Sequence, residues 1–370
     1  MDVTGQPHRG LLTHADLAGW HPRLEEPLTF DFGGLTVCKT QPWGQGPVFL
    51  QQLALLGGFD LRAMGPGTAD YMHTVIECGK LAFADREAWY GDPDFTDVPV
   101  GTLLSSAYAD ERRALIGDEA SADLRPGSPD GRTPVLPGFA TRAFIRYNVA
   151  SVQPNFDAGE LPNLDPGTGE PLMRTTGPGD TCHLDVTDRF GNFVSATPSG
   201  GWLQSSPVIP GLGFPLGSRA QMFTLTPGLP ATLAPGKRPR TTLTPSLALR
   251  DGEPYMAFGT PGGDQQDQWS LLFLLNHLEF GMNLQQAIDF PSFHSAHMPS
   301  SFYPRQAQPR VLDVESRIGA GVIEELRRRG HLVNVRPAWS LGRVSAVARR
   351  NGILYAAANP RGMQGYAVGR

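Results

Sequence analysis

Two rhythms of apolar and polar residues divide this chain. Within residues 68–90, Met72, Val75, Ile76, Leu81 and Phe83 recur at helical spacing, which predicts the longest helix of the first half. An apolar run at 48–56 follows the turn-rich stretch QPWGQGP (41–47) and ends at Gly57-Gly58, so a second helix with a glycine C-cap is expected there. Thr13 is placed as the N-cap of a short helix carrying Leu17. Residues 35–39 (LTVCK) read as a strand. Residues 1–150 are thus mostly helical with short strands.

The rhythm stops at 151–180, where proline, glycine and acidic residues dominate and no periodicity survives, the pattern of a solvated, flexible loop. From Thr181 onward it becomes that of strands. Residues 181–186 alternate, Phe190-Gly191-Asn192 makes a turn, and 193–197 returns as the second arm of a hairpin. Residues 246–250 and 254–259, joined through Asp251-Gly252, form another. Helices follow at about 266–280, 284–289 and 322–329, and a last hairpin pairs 343–349 with 352–357. Hairpins, then helices, then a hairpin predict an α+β sheet layered with helices, not a doubly wound parallel sheet. Three segments are expected: 1–150, the loop 151–180, and 181–370.

Composition narrows the classes. With 370 residues, 40% apolar and 18% charged, the chain has the make-up of a globular protein with a substantial core. A net charge of −5, without basic clusters, gives no support for a nucleic-acid partner. The longest apolar stretch, LLFLLNHLEFG (271–281), is broken by Asn276 and His277, so no membrane span is expected. The first residues, MDVTGQPHRG, lack a charged region followed by an apolar run, which reads as cytoplasmic. Cys38, Cys78 and Cys182 share no metal-ligand spacing, and their odd number points to small buried thiols and away from a disulfide framework. His294 and His297 come closest to a ligand pair but have no acidic or cysteine companion, so neither metal nor cofactor is expected. Homo-oligomerisation stays open.

Thr181 opens a strand directly after the loop, where cleavage would create a new N-terminus. An N-terminal threonine carries its own base, since its α-amine titrates near neutrality and can activate the hydroxyl. Taken alone, a threonine here is better explained by simple β-propensity. Pro261-Gly262-Gly263 lies between a predicted strand and a predicted helix. Its amides could form an oxyanion hole at a helix N-terminus, or the glycines could simply make a tight turn.

The order of motifs adds a resemblance. T-x-H at 181–183, DRFGN at 188–192, PGKRPRTTLTPSLAL at 235–249, GTPGGDQQ at 259–266, EFGMNLQQAIDFPSFH at 279–294 and AAANPRGMQGYAVGR at 356–370 run in sequence. LLTHADLAGW (11–20), LLGGFDLRAMGPGTADYMH (55–73) and KLAFADREAWYGDPDF (80–95) precede them. Together they resemble the γ-glutamyltransferase family of N-terminal-nucleophile (Ntn) hydrolases over nearly the whole chain. The resemblance implies a four-layer αββα sandwich, with large and small subunits cut from one precursor at Asp180-Thr181. It implies Thr181 as the nucleophile, Ser199 as a second hydroxyl that helps activate it, and Gly262 and Gly263 as the oxyanion hole. Thr241 and Thr242 take the place of a hydroxyl pair lining the pocket. The implied substrate is a small amide or γ-glutamyl compound, as in glutathione hydrolysis or γ-glutamyl transfer.

Three departures qualify that implication. In LGSRAQMF (216–223), Met222 stands where the family has the acid that holds a substrate α-ammonium, and Arg219 replaces a neighbouring amide. Losing an anion and gaining a cation favours a substrate with a carboxylate and no ammonium. PSGGWLQSSPVIPG (198–211) resembles a branch that includes an oxamate amidohydrolase, which agrees with that charge preference. The family's long N-terminal portion, which holds a carboxylate-gripping arginine, has no counterpart here. Part of the large-subunit core is thus expected to be missing, leaving open sheet edges and apolar surface. A truncated enzyme, a fragment, half of a split pair and a non-catalytic scaffold all stay open.

Overall fold

Strands from both sides of the 151–180 segment join in one antiparallel sheet, the two that precede it lying together at one edge. The computed structural model describes residues 12–141, 163–164, 171–172, 181–200, 208–213, 216–302, 305–363 and 365–369. Apart from a two-residue ladder pairing Asn163–Leu164 with Pro171–Leu172, the expected loop at 151–180 lies outside the described residues.

The strands are β1 (Leu28–Phe32), β2 (Leu35–Lys39), β3 (Leu184–Thr187), β4 (Phe193–Ala196), β5 (Ser246–Arg250), β6 (Glu253–Gly259), β7 (Phe293–Ser295), β8 (Val311–Glu315), β9 (Leu332–Arg336), β10 (Ser345–Arg350) and β11 (Ile353–Ala358). The larger helices are α1 (Gly46–Leu56), α2 (Ala69–Trp89), α3 (Gln266–Leu278), α4 (Leu284–Asp289) and α5 (Ala320–Arg328). The main sheet has the order β1-β2-β5-β6-β10-β11, and every neighbouring pair is antiparallel.

Alternation along the strands decides what each face of this sheet meets. Ala248, Met256, Phe258, Ala346 and Ala348 belong to the main apolar core. Phe258 packs against Phe49 of α1 and Phe273 of α3, with ring centroids 6.0 and 5.4 Å apart. The β3–β4 hairpin lies across β5, β6 and β10 on the opposite face. Its outward side chains are apolar, with Leu184, Val186 and Val194 exposed at 44, 51 and 51%. Helices, main sheet and hairpin make three layers of the expected sandwich. Among the described residues, no fourth layer covers the hairpin's outer face.

A second, three-stranded sheet departs from the sequence expectation. β8 pairs antiparallel with β7 and parallel with β9, and α5 makes the crossover between the two parallel strands. VLDVE and LVNVR hide their strand character behind buried charge. Asp313 accepts from Arg336 Nε at 2.7 Å and Glu315 from Arg361 Nε at 2.8 Å, so acidic groups that normally face water are satisfied inside. β1 was also unforeseen, and Gly33 and Gly34, at φ +58° and +79°, turn it back onto β2. α1 starts earlier than expected, at Gly46. Its C-cap, Gly57, takes right-handed helical dihedrals (φ −60°) in place of a left-handed cap.

Candidate active site

Thr181 is placed by the register of the hairpin it opens. Leu184 pairs with Ala196, and the Cys182 N–H donates to the Pro198 carbonyl at 3.1 Å, which brings Thr181 opposite Ser199. The Thr181 hydroxyl donates to Ser199 Oγ at 3.1 Å, and Arg219 Nη2 donates to the same oxygen at 2.6 Å. Asp180, the other half of the expected cleavage bond, lies outside the described residues.

Arg219 begins a 3₁₀ turn, Arg219–Met222, and its guanidinium sits 5.7 Å from the Phe302 ring centroid. Met222 is 2% exposed and packs on Phe302, so apolar contact fills the position where the family pattern has an acid. Arg305 holds this turn from behind, donating through Nη2 to the carbonyls of Gln221 (2.7 Å) and Phe223 (3.3 Å). Burial, and then the nearby Arg240 charge, bring Arg305 down to about 10. Arg86 and Arg240 share the carboxylate of Glu87, and Arg86 also pairs with Asp264. Three guanidinium groups therefore meet two carboxylates behind the Arg219 turn. Burial alone would raise the Asp264 carboxyl, but the Arg86 charge and hydrogen bonds from Ser301 outweigh it and hold it below its usual range.

The glycine turn has the expected setting. Gly262 and Gly263, at φ +131° and +55°, follow the end of β6, and a 3₁₀ turn from Gly263 runs into α3. A Cβ on Gly262 would lie 2.4 Å from the Trp269 ring. The Thr241 N–H donates to the Trp43 carbonyl at 2.9 Å. Thr242 is 1% exposed, and its hydroxyl has no hydrogen-bond partner among the described residues. Hydrogen bonds among the described residues thus tie Thr181, Ser199 and Arg219 into one cluster. Among the described residues, no hydrogen bond joins Gly262, Gly263, Thr241 or Thr242 to that cluster.

Sequence reasoning passed over the groups next to Thr181. His183 Nδ1 lies 2.8 Å from Thr197 Oγ1, and Nε2 lies 3.0 Å from both oxygens of Asp185. Asp185 also accepts from Ser195 Oγ (2.8 Å) and Ser345 Oγ (2.9 Å). The signal was present in T-x-H-x-D, whose polar members share one face of a strand. Cys182, between them, points to the other face and is exposed, which corrects the expectation of three buried thiols; Cys38 and Cys78 are buried.

The histidines divide into separate networks. His294 pairs with Asp313 at 3.3 Å, while His297 donates to the Asp123 carbonyl at 3.2 Å. His73, Glu77 and His331 place potential ligand atoms within 4.8 Å of one another. Glu77 is already bonded to Lys80 and Arg125, and His73 to the Gly117 carbonyl and His331. Burial, and then the Lys80 charge, lower His331 to about 2. No helix among the described residues is long and apolar enough to cross a membrane.

The chain is similar to known proteins along nearly its whole length. The Gamma-glutamyltranspeptidase family description matches residues 2–369. The Acylase ACY 1 proenzyme of Pseudomonas sp. (strain SE83) is 30% identical over 341 residues, covering 92% of this chain and 51% of its own length. The glutathione hydrolase proenzyme of Bacillus subtilis subsp. natto is 28% identical, with coverages of 93% and 52%. The chain therefore spans about half the length of these curated relatives. Among solved structures, LmbA2991HD is 56% identical with a TM-score of 0.86, covering 100% of this chain and 60% of that one. The cephalosporin acylase of Bacillus halodurans is 28% identical with a TM-score of 0.73, at 95% and 54% coverage. Since the match runs from residue 2 to 369 and the fold recurs in these solved structures, this chain belongs to the gamma-glutamyltranspeptidase family.

Proposed function

We propose that this chain carries the nucleophile of a self-processing amide hydrolase or acyltransferase. The observation that carries the reading is the Thr181–Ser199 hydroxyl pair at 3.1 Å, with Arg219 on the same Ser199 oxygen. In the precursor, Thr181 Oγ attacks the carbonyl carbon of Asp180, and the peptide nitrogen leaves with the hydroxyl proton. Water then opens the resulting ester, which releases the Asp180 carboxylate and restores the hydroxyl beside a free α-amine. In turnover that amine takes the Thr181 proton as Oγ attacks a substrate amide. The leaving amine departs with a proton, and water or an acceptor amine resolves the acyl-enzyme. The Gly262 and Gly263 amides are assigned to the oxyanion, and the unpartnered Thr242 hydroxyl, beside Thr241, to the substrate.

Two substrate classes remain in this reading. The relatives' printed names favour a γ-glutamyl donor or another acyl amide. Arg219, Met222 and the guanidinium excess behind them favour a small amide bearing a carboxylate and no ammonium, such as oxamate.

Intact mass decides the first point. Purified chain should yield two fragments meeting at the 180/181 bond, and Thr181→Ala should remain whole. Cleavage at that bond in Thr181→Ala would remove Thr181 from the role. For the second point, ammonia release from oxamate is compared with hydrolysis of a γ-glutamyl anilide. Arg219→Gln should raise KM for oxamate about tenfold or more, the value of a charge-assisted contact. Turnover of the anilide with none of oxamate would reject the carboxylate reading.

A further inference from the structure

Cross-strand pairing gives the nucleophile hairpin an unusual inner face. Thr181 faces Ser199, His183 faces Thr197 and Asp185 faces Ser195, and each pair is joined by a side-chain hydrogen bond of 3.1, 2.8 and 2.8 Å. These are successive rungs at i, i+2 and i+4 on one side of the hairpin. The last rung is fastened to the main sheet, since Asp185 also accepts from Ser345 Oγ at 2.9 Å. The middle rung is held by shape. The His183 ring lies so close to Gly259 that a Cβ there would come within 2.3 Å of it. Both side chains of the His183–Asp185 pair are 1% exposed.

We infer that His183 and Asp185 are positioning residues that set the register and rigidity of the nucleophile strand. Asp185 accepts the Nε2–H of His183, which leaves Nδ1 as an acceptor for the Thr197 hydroxyl. Thr197 precedes Ser199 by two residues, so the imidazole fixes the arm carrying the partner of Thr181. Without a polar ladder this hairpin would have weak register, because its apolar side chains face outward and find no core. The need grows after cleavage, when Thr181 becomes a chain end that would otherwise fray. His183 pins the strand two residues from that end. Neither residue touches the reacting atoms, and the inference rests on the reading of Thr181 as nucleophile.

The rate of cleavage at the 180/181 bond, followed by intact mass, tests the role without a substrate. His183→Ala should slow it at least tenfold. His183→Asn, which retains a polar group near the Nδ1 position, should recover to within about threefold of the wild type, whereas His183→Gln, which reaches Asp185 and leaves Thr197 unheld, should not. Thr68→Ala, a helix-cap change remote from the hairpin, supplies a control that lowers Tm without altering the cleavage rate more than twofold. If His183→Ala does not fold, Asp185→Asn is the second variant, and it should slow cleavage several-fold at unchanged size. Cleavage within twofold of wild type in either variant overturns the inference. So does a comparable slowing in Thr68→Ala at a matched loss of Tm. An uncleaved wild type would reject the nucleophile reading itself, a failure visible before any variant is compared.

Discussion

Gly262 combines a backbone at φ +131° with a Trp269 ring where any Cβ would need to sit. Gly262→Ala should therefore destabilise the chain by about 1–3 kcal/mol, read as a fall in the denaturant midpoint. An unchanged midpoint would mean that the turn relaxes freely. Residues with distinctive chemistry were the easiest to see in the sequence. Thr181, Ser199 and Arg219 could be named before any coordinates, and they meet at one oxygen. The His183–Asp185 pair was harder, because its partner Ser345 is 160 residues further along. Alternation reveals that three polar residues share a face, but not that a distant serine waits opposite them. Met222 illustrates a different gap: the family resemblance implies an acid at this position, and only packing reveals that Met222 lies against Phe302.

The long helix α2 owes its start to one side chain. Thr68 Oγ1 accepts from the Tyr71 N–H at 3.2 Å while donating to the Met64 carbonyl at 2.9 Å. Thr68→Ala should cost about 1 kcal/mol, measured as a Tm loss of a few degrees, and no loss would mean that water caps the helix equally well. Elements with clean periodicity and ordinary caps, α2 and the β5–β6 and β10–β11 hairpins, were legible to within a few residues. The β7–β8–β9 sheet was not. Its strands are short, its central strand carries two buried carboxylates, and its parallel pair needs a crossover helix that local pattern does not link to it. The Gly33-Gly34 turn was readable in principle as a hairpin signal, because both residues need positive φ.

At the scale of the molecule, buried histidines govern acid tolerance. Burial, and then the Lys80 charge, hold His331 at about 2 and His297 well below the usual histidine value near 6.5. The unfolded chain binds protons at these sites as pH falls through about 6.5, and the folded chain does not. Their stabilisation is therefore complete above that pH and shrinks below it, by up to about 1.4 kcal/mol per pH unit for each histidine. Urea midpoints should fall from pH 7.5 to pH 5, and equal midpoints would contradict the burial of these groups. The hairpin also has a molecular consequence through Cys182, which shares the outward face with Leu184 and Val186 while the other two thiols are enclosed. Burial pushes Cys38 and Cys78 up and away from reactivity, so a maleimide dye should take one equivalent in native buffer and three in denaturant. The chain thus carries a natural labelling handle one residue from its proposed scissile bond. A single dye would then travel with the C-terminal cleavage product on a gel, making maturation visible by fluorescence alone.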